Sequence, residues 1–298
     1  GSLDDDNRQV VGRICERMED RISTFKEGRT LASVMYGLCK LYVEPTRSFL
    51  KIWSAQCIVV MSTFKPQELS NAVYSLGVFD FRPNNLCQNF FLKWSEACVR
   101  LISQFKPQEL SNCVHALGKI KPDRRELCST FIESWSSKCV SVMSQLEPQH
   151  LSNVIFGVAK LGLERRDLNP RFFMSWSEAC VASVSRFKSQ ELANSIYALG
   201  LLKLDRNDLC SRFYFVWSEA CVARMSELNS QELANSVYGI AQLKLDRNEL
   251  CRGFYERWSA ACVGLFPKFE SEHFSMCIYS LGVLKLEKRD LCGVVGFI

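Results

Sequence analysis

The chain has 298 residues, 47% of them hydrophobic, and 37 basic against 32 acidic side chains give a formal net charge of +5. This composition supplies a buried core, but the apolar runs are only a few residues long, which excludes a membrane-spanning segment. The mild positive charge allows an anionic partner without requiring one. We therefore expect a soluble protein with no membrane contact.

A period of 41 residues organises most of the chain, and a decayed first copy, recognisable from Leu31, lies 38 residues before its neighbour. The period is marked by all six tryptophans, which are Trp53, Trp94, Trp135, Trp176, Trp217 and Trp258. A fixed period of this size is typical of a repeat solenoid. The sequence predicts a single repeat domain over 1–298, an all-α, right-handed α-solenoid of about six to seven two-helix repeats. We expect an N-terminal capping helix or partial repeat at 1–25, helical repeats over 26–289, and the start of a further, truncated repeat at 290–298.

The first helix of each repeat, which we call helix A, contains the tryptophan. Apolar residues recur every four positions from Leu86 to Ile102, which predicts an amphipathic helix of about twenty residues. In a later copy Asp205 and Asp208 supply an acid at the N-cap and another at N3, which indicates the start of the helix. This start places one basic residue at N1 of helix A in each of five copies: Arg124, Arg165, Arg206, Arg247 and Lys288.

The second helix, which we call helix B, covers about 107–119 in the same copy. Leu110, Val114 and Leu117 share one face of this helix. The opposite side has four polar or aromatic positions, Gln108, Asn112, His115 and Lys119. Two further positions hold only Gly, Ala or Ser in the repeats, which predicts a close approach between the backbones of neighbouring helices B. We therefore expect helix B to line the concave side of the solenoid and helix A the convex side.

The start of helix B resembles the signature of octotricopeptide-type repeats. The signature is Pro-Gln-Glu-Leu-Ser/Ala-Asn followed by Tyr-x-Leu-Gly-x-Leu, and Gln-Glu-Leu-Ala-Asn is intact at 190–194 and 231–235. The similarity extends from about 31 to 291. That family consists of RNA-binding α-solenoids, so the resemblance implies single-stranded RNA binding in post-transcriptional control of gene expression. The 298 residues show no trace of the nuclease-like domain that often follows such repeats, so the resemblance does not extend to cleavage activity.

Two constant positions of helix B are candidates for RNA contact. Asparagine amides can bond base edges, and aromatic rings can stack on bases. The alternative is structural, with the amides bonded to backbone groups between repeats and the rings filling the groove between them. The candidates are Asn71, Asn112, Asn153, Asn194, Asn235, Tyr74, Tyr197 and Tyr238. His115, Phe156 and Tyr279 occupy the aromatic position in other copies.

A third position of helix B varies between copies, as base-by-base reading requires. It holds Lys119, Lys160 and Gln242, but also Val78, Leu201 and Val283, which ordinary surface drift would explain equally well. The arginine series Arg124, Arg165, Arg206 and Arg247 is a candidate for phosphate binding, because a cation at a helix N-terminus opposes the helix dipole. The alternative is a solvated loop charge that neighbouring acids partly cancel.

The remaining chemistry indicates a binding protein and not an enzyme. Eleven of the fifteen cysteines occupy two repeating positions, neither of which pairs cysteines at metal-binding spacing. We expect buried, reduced thiols in an intracellular reducing compartment, either cytoplasm or organelle matrix, with no metal and no cofactor. The three histidines belong to no catalytic motif. We expect a monomer, and the alternative to RNA binding is a protein–protein interaction scaffold, such as a pathogen effector, that uses the same concave groove.

Overall fold

A computed structural model describes the backbone of residues 5–292 and the side chains of 13–15, 17–287 and 289–292. The predicted truncated repeat lies outside these residues from 293 to 298, as do residues 1–4 of the predicted capping segment. The described residues form α-helices joined by short 3₁₀ turns and contain no β-strand. Helices of two kinds alternate along the chain, so the predicted all-α solenoid is confirmed.

Helices A and B alternate in chain order, and each repeat contributes one of each. The helices in the A position are α1 (Asp5–Ile22), α3 (Arg47–Val59), α5 (Phe90–Leu101), α7 (Phe131–Val142), α9 (Phe172–Ser183), α11 (Phe213–Ala223) and α13 (Phe254–Leu265). Those in the B position are α2 (Gly28–Leu41), α4 (Pro66–Val78), α6 (Pro107–Ile120), α8 (Pro148–Lys160), α10 (Ser189–Leu202), α12 (Ser230–Leu243) and α14 (Ser271–Leu284).

Contacts divide the chain into two compact units. Unit 1 comprises Gly1–Val142 with Arg165–Asn169, and unit 2 comprises Met143–Glu164 with Pro170–Ile298. In unit 1 helix α4 packs between α2 and α6, and in unit 2 helix α12 packs between α10 and α14. The B helices of each unit therefore form a continuous layer. That all repeats belong to a single domain stays a prediction.

Small residues allow the B helices to approach each other closely. A Cβ atom on Gly77 would lie 2.9 Å from Cα of Ala116 in the next helix B of unit 1. In unit 2 a Cβ atom on Gly200 would lie 2.9 Å from Cα of Gly239, and one on Gly239 would overlap the carbonyl oxygen of Ile196. The predicted close backbone approach is therefore confirmed.

The tryptophan series ties each helix A to the helix B that precedes it. Every indole N–H donates to a leucine carbonyl oxygen in the first turns of that helix, at 2.9–3.1 Å. The pairs are Trp53–Leu31, Trp94–Leu69, Trp135–Leu110, Trp176–Leu151, Trp217–Leu192 and Trp258–Leu233. All six rings are buried. A buried indole needs a partner for its N–H, so this bond fixes the position of the ring.

The serine that follows each tryptophan joins consecutive repeats. Its hydroxyl oxygen accepts a hydrogen bond from a backbone N–H 33 residues further along, in the turn before the next helix A. The pairs are Ser54–Cys87, Ser95–Cys128, Ser136–Asn169, Ser177–Cys210, Ser218–Cys251 and Ser259–Cys292. This bond accounts for the constant Trp-Ser pair, because every turn backbone N–H of this kind needs an acceptor.

Helix A is shorter than predicted, and its first residues form a separate turn. In the repeat that contains α11, Arg206–Asp208 form a 3₁₀ turn, Leu209 adopts extended backbone, and the α-helix begins only at Phe213. The Asp208 carboxylate accepts from the Asp205 N–H, so the predicted acidic caps exist but cap this turn. The prediction that the arginines occupy N1 of helix A is therefore wrong, because they begin the 3₁₀ turn instead.

Candidate nucleic-acid interface

One side of helix B presents four positions per repeat that we call the B stripe. Residues at positions i, i+4, i+7 and i+11 lie on one face of a helix. In the B stripe these four positions hold a glutamine, an asparagine, an aromatic residue and the variable residue, in that order. In the repeat of α10 these are Gln190, Asn194, Tyr197 and Leu201. The glutamines Gln67, Gln108, Gln149, Gln190 and Gln231 are all exposed. The asparagines Asn71, Asn112, Asn153, Asn194 and Asn235 are all half-buried.

The asparagine amides of the B stripe have no hydrogen-bond partner within the described residues. The alternative in which they bond backbone groups between repeats is therefore not what the structure shows. Other residues of the same sequence block do have such roles. Glu191 accepts from the Lys188 N–H, which closes the first turn of α10, and the Leu192 carbonyl oxygen accepts from Trp217. The asparagines therefore differ from their neighbours in the block, because their amides form no hydrogen bond with the described chain.

The aromatic residues of the B stripe contact one another. Ring centroids are 6.0 Å apart for Tyr197 and Tyr238, and 5.9 Å apart for Tyr238 and Tyr279. In unit 1 the centroids of Tyr36 and Tyr74 are 6.5 Å apart. These separations are typical of direct contact between aromatic rings, so a base would have to stack on the solvent-exposed surface of the rings and not between them. The rings thus have a packing role as well as an open surface.

The variable position packs against the aromatic one. The Lys160 ammonium lies 5.3 Å from the ring centroid of Phe156 and 5.4 Å from that of Tyr197, in cation–π geometry. The Gln242 amide donates to the Tyr279 hydroxyl at 3.4 Å. Lys119 is exposed. The predicted variable residues are thus brought beside the predicted aromatic residues.

The arginine series forms ion pairs between repeats. Arg124 contacts Asp167 at 2.8 Å in unit 1. In unit 2 Arg206 contacts Glu249 at 2.7 Å and donates to the Lys244 carbonyl oxygen at 3.0 Å. Arg247 likewise pairs with an acid of the next repeat, Asp290, at 2.5 Å, and Arg165 begins the corresponding 3₁₀ turn. A phosphate on Arg124, Arg206 or Arg247 would have to compete with a carboxylate that is already present.

Sequence reasoning missed a series of lysines at the C-terminal end of helix B. Lys121, Lys203, Lys244 and Lys285 have φ angles of 50–54° and cap their helices in the left-handed conformation. All four are exposed, and no ion pair involves them within the described residues. This conformation costs a non-glycine residue about 1–2 kcal/mol, and glycine takes the equivalent position in one described repeat, at Gly162. The sequence does contain a pattern that could have revealed this series, because Leu-Lys-Leu recurs every 41 residues at 202–204, 243–245 and 284–286.

Five of the six thiols that lie four residues after a tryptophan belong to the core between helices A and B. Burial of the remaining repeat thiols was predicted wrongly, because Cys262 and the second repeating position (Cys87, Cys128, Cys210, Cys251 and Cys292) are half-buried. Cys57, Cys98, Cys139, Cys180 and Cys221 are at most 3% exposed. Burial raises the pKa of each of these thiols well above its ordinary value, because the interior disfavours the thiolate. Within the described residues no group of three or more metal-ligating side chains is arranged around a common point.

Comparison with known proteins gave no match to any family model and none to a curated protein. In the part of the chain that the structure describes, no helix combines the length and the apolar character needed to cross a bilayer.

Proposed function

We propose that the protein binds single-stranded RNA along the B stripe. The observation that supports this most directly is the asparagine series, five half-buried amides without a hydrogen bond inside the described chain. A half-buried amide that has no internal partner is expected to bond a ligand or water. Tyrosine rings beside these amides supply stacking surface, and stacking with polar contacts is how proteins recognise single strands of RNA. The resemblance to octotricopeptide-type repeats agrees with this proposal, and family membership stays a prediction.

The cationic contribution to this binding comes first from the exposed lysines. Lys203, Lys244 and Lys285 recur once per repeat in unit 2, and no acid pairs with them there. Lysine ammonium groups that bind phosphates release counterions from the nucleic acid, so the affinity should fall as salt is added. Arg206 and Arg247 support these lysines, because each donates to the carbonyl oxygen of the lysine that caps helix B of its own repeat. The proposal contains no catalytic step.

A protein partner is the second candidate function. It is favoured by the variable position, where Val78 and Leu201 are each 36% exposed and offer apolar contact. Aromatic residues are enriched in the cores of protein interfaces, so the tyrosines would suit this function as well. The two candidates differ in their response to salt, because binding to a nucleic acid weakens steeply with added salt whereas contact with an apolar surface does not.

The test is retention of RNA from a randomised single-stranded pool at low salt, followed by titration of a retained sequence at several salt concentrations. We expect the logarithm of affinity to fall linearly with the logarithm of salt, with a slope of about −0.7 for each phosphate contacted. The variant Asn194→Ala/Asn235→Ala should bind the retained RNA less tightly. The control variant Asn207→Ala/Asn248→Ala removes two exposed amides outside the B stripe and should bind the RNA as tightly as the unmodified protein. Absence of retained RNA at low salt would contradict the proposal and favour the protein partner.

A further inference from the structure

The B stripe contains constant positions and a variable one, and these two kinds of position suit different parts of a nucleic acid. Glutamine and asparagine recur unchanged in five successive repeats, from Gln67 and Asn71 to Gln231 and Asn235. Successive bases of an RNA differ, whereas its sugars and phosphates repeat identically. A side chain that never changes along the stack therefore matches a feature that never changes along the strand.

Stability of the helix does not explain why these amides are constant. Asparagine is less favourable than alanine in a helix interior by several tenths of a kcal/mol, and these asparagines gain no internal hydrogen bond in return. Gln190 and Gln231 are exposed and likewise form no hydrogen bond within the described residues. The requirement for the amides must therefore come from outside the helix.

An amide differs from the neighbouring cations in what it can bind. It offers both a donor and an acceptor and has no charge, whereas a phosphate oxygen only accepts and is bound best by a cation. The 2′-hydroxyl of ribose is also both donor and acceptor, and it is the group that distinguishes RNA from DNA. Gln190 and Asn194 are four residues apart on one helix face, so their side chains are neighbours, about 5–6 Å apart at Cβ, and can converge on one sugar.

We propose that the constant Gln and Asn pairs of the B stripe bind ribose 2′-hydroxyl groups, and that they thereby select RNA over DNA irrespective of base. This inference rests on the proposed function. The lysines at the ends of the B helices then serve the phosphates, and the variable position is left to the bases. The constant amides and lysines thus contact the sugars and phosphates, which are the same in every nucleotide. The variable residues contact the bases, which differ from one nucleotide to the next.

The experiment compares the full chain on three fluorescein-labelled strands that share one sequence retained from the randomised pool: the RNA, its DNA counterpart with deoxyuridine in place of thymidine, and its 2′-O-methyl counterpart. We expect the unmodified protein to bind the RNA at least tenfold more tightly than the DNA, with the methylated strand near the DNA, because methylation removes the donor. One neutral hydrogen bond corresponds to about a threefold to tenfold change in affinity. The variant Gln190→Ala/Asn194→Ala/Gln231→Ala/Asn235→Ala should therefore bind RNA and DNA almost equally, by losing affinity for RNA alone.

The control is Asn207→Ala/Asn248→Ala, which should keep the full preference for RNA. Because alanine is the better helix former, the fourfold variant should melt no lower than the unmodified protein in circular dichroism. An equal loss of affinity for RNA and DNA in the fourfold variant would overturn the inference, since the amides would then contact phosphates or bases. Equal binding of RNA and DNA by the unmodified protein would overturn the inference but leave nucleic-acid binding intact. Binding of none of the three strands at low salt would remove both proposals.

Discussion

At the scale of single residues, the constant positions of the repeat divide into those with a partner in the chain and those without. Trp217 donates to Leu192, Ser218 accepts from the Cys251 N–H, and Glu191 caps the first turn of its own helix. Asn194 and Gln190 are equally constant, yet they bond nothing in the described chain. The first group explains the fold, and the second is where function should be sought.

The first prediction concerns the indole N–H. Trp217→Phe removes the hydrogen bond to the Leu192 carbonyl oxygen and leaves unfilled space in a site where the ring is only 2% exposed. We expect a loss of about 2–4 kcal/mol in the free energy of unfolding, part from the bond and part from the cavity. Urea denaturation followed by circular dichroism measures this loss. The substitution Phe215→Leu, at a nearby ring that is 46% exposed, should change stability by less than about 0.5 kcal/mol. Equal effects of the two substitutions would contradict the assigned role.

At the scale of the helices, the contact between B helices depends on the absence of side chains. The second prediction is that Gly239→Ala forces α10 and α12 apart, because the new Cβ atom would overlap the backbone of Ile196. We expect a loss of about 1–3 kcal/mol, as for other overpacked sites. Gly282→Ala is the matched control, since a Cβ atom there meets nothing within 4 Å and alanine is the better helix former. Its thermal midpoint should be unchanged or higher, and the prediction fails if Gly239→Ala behaves in the same way.

Helix positions were predictable from the sequence to different degrees. Helix B was recognisable because its leucine spacing and its Pro-Gln-Glu start agree, and α6 covers Pro107–Ile120, close to the predicted 107–119. Helix A was predicted about eight residues too long, because apolar residues at Leu86 and Phe90 keep a spacing of four across a turn that is not α-helical. The spacing of apolar residues shows which residues are buried, but it does not show which of them are helical. Leu86, which follows the 3₁₀ turn, is buried although it lies outside the α-helix.

The candidate interface was predictable only where it is periodic along helix B. The asparagine and tyrosine positions could be read from the helical wheel, and within each unit the structure brings tyrosines of neighbouring B helices into contact. The role of Arg206 could not be read in this way, because its partner Glu249 belongs to the next repeat and its partner Lys244 caps helix B, far along its own repeat. Nor does a sequence pattern reveal that Lys244 has a positive φ angle. Contacts between repeats depend on how the helices stack, which a single repeat does not encode.

At the scale of the whole chain, five copies of the 41-residue repeat each add a buried thiol four residues after the tryptophan, and these thiols act together on stability. Burial raises the pKa of Cys57, Cys98, Cys139, Cys180 and Cys221 well above the ordinary value of 9.0. In the unfolded chain the same thiols ionise normally. Above that ordinary value the folded state therefore retains protons that the unfolded state has lost, so stability is full at lower pH and falls as the pH rises.

The third prediction follows from the sum of these thiols. Each pH unit over which a thiol keeps its proton only in the folded state lowers the free energy of unfolding by about 1.4 kcal/mol, so the effects of these thiols add and stability falls steeply above pH 9. We expect urea midpoints that are constant from pH 7 to 8 and fall steeply between pH 9 and 10.5. Cys180→Ala should be less stable at pH 7, because it leaves a small cavity, but its stability should fall less steeply above pH 9 than that of the unmodified protein. A stability that does not change across pH 9 to 10.5 would mean that these thiols are not held protonated in the folded core.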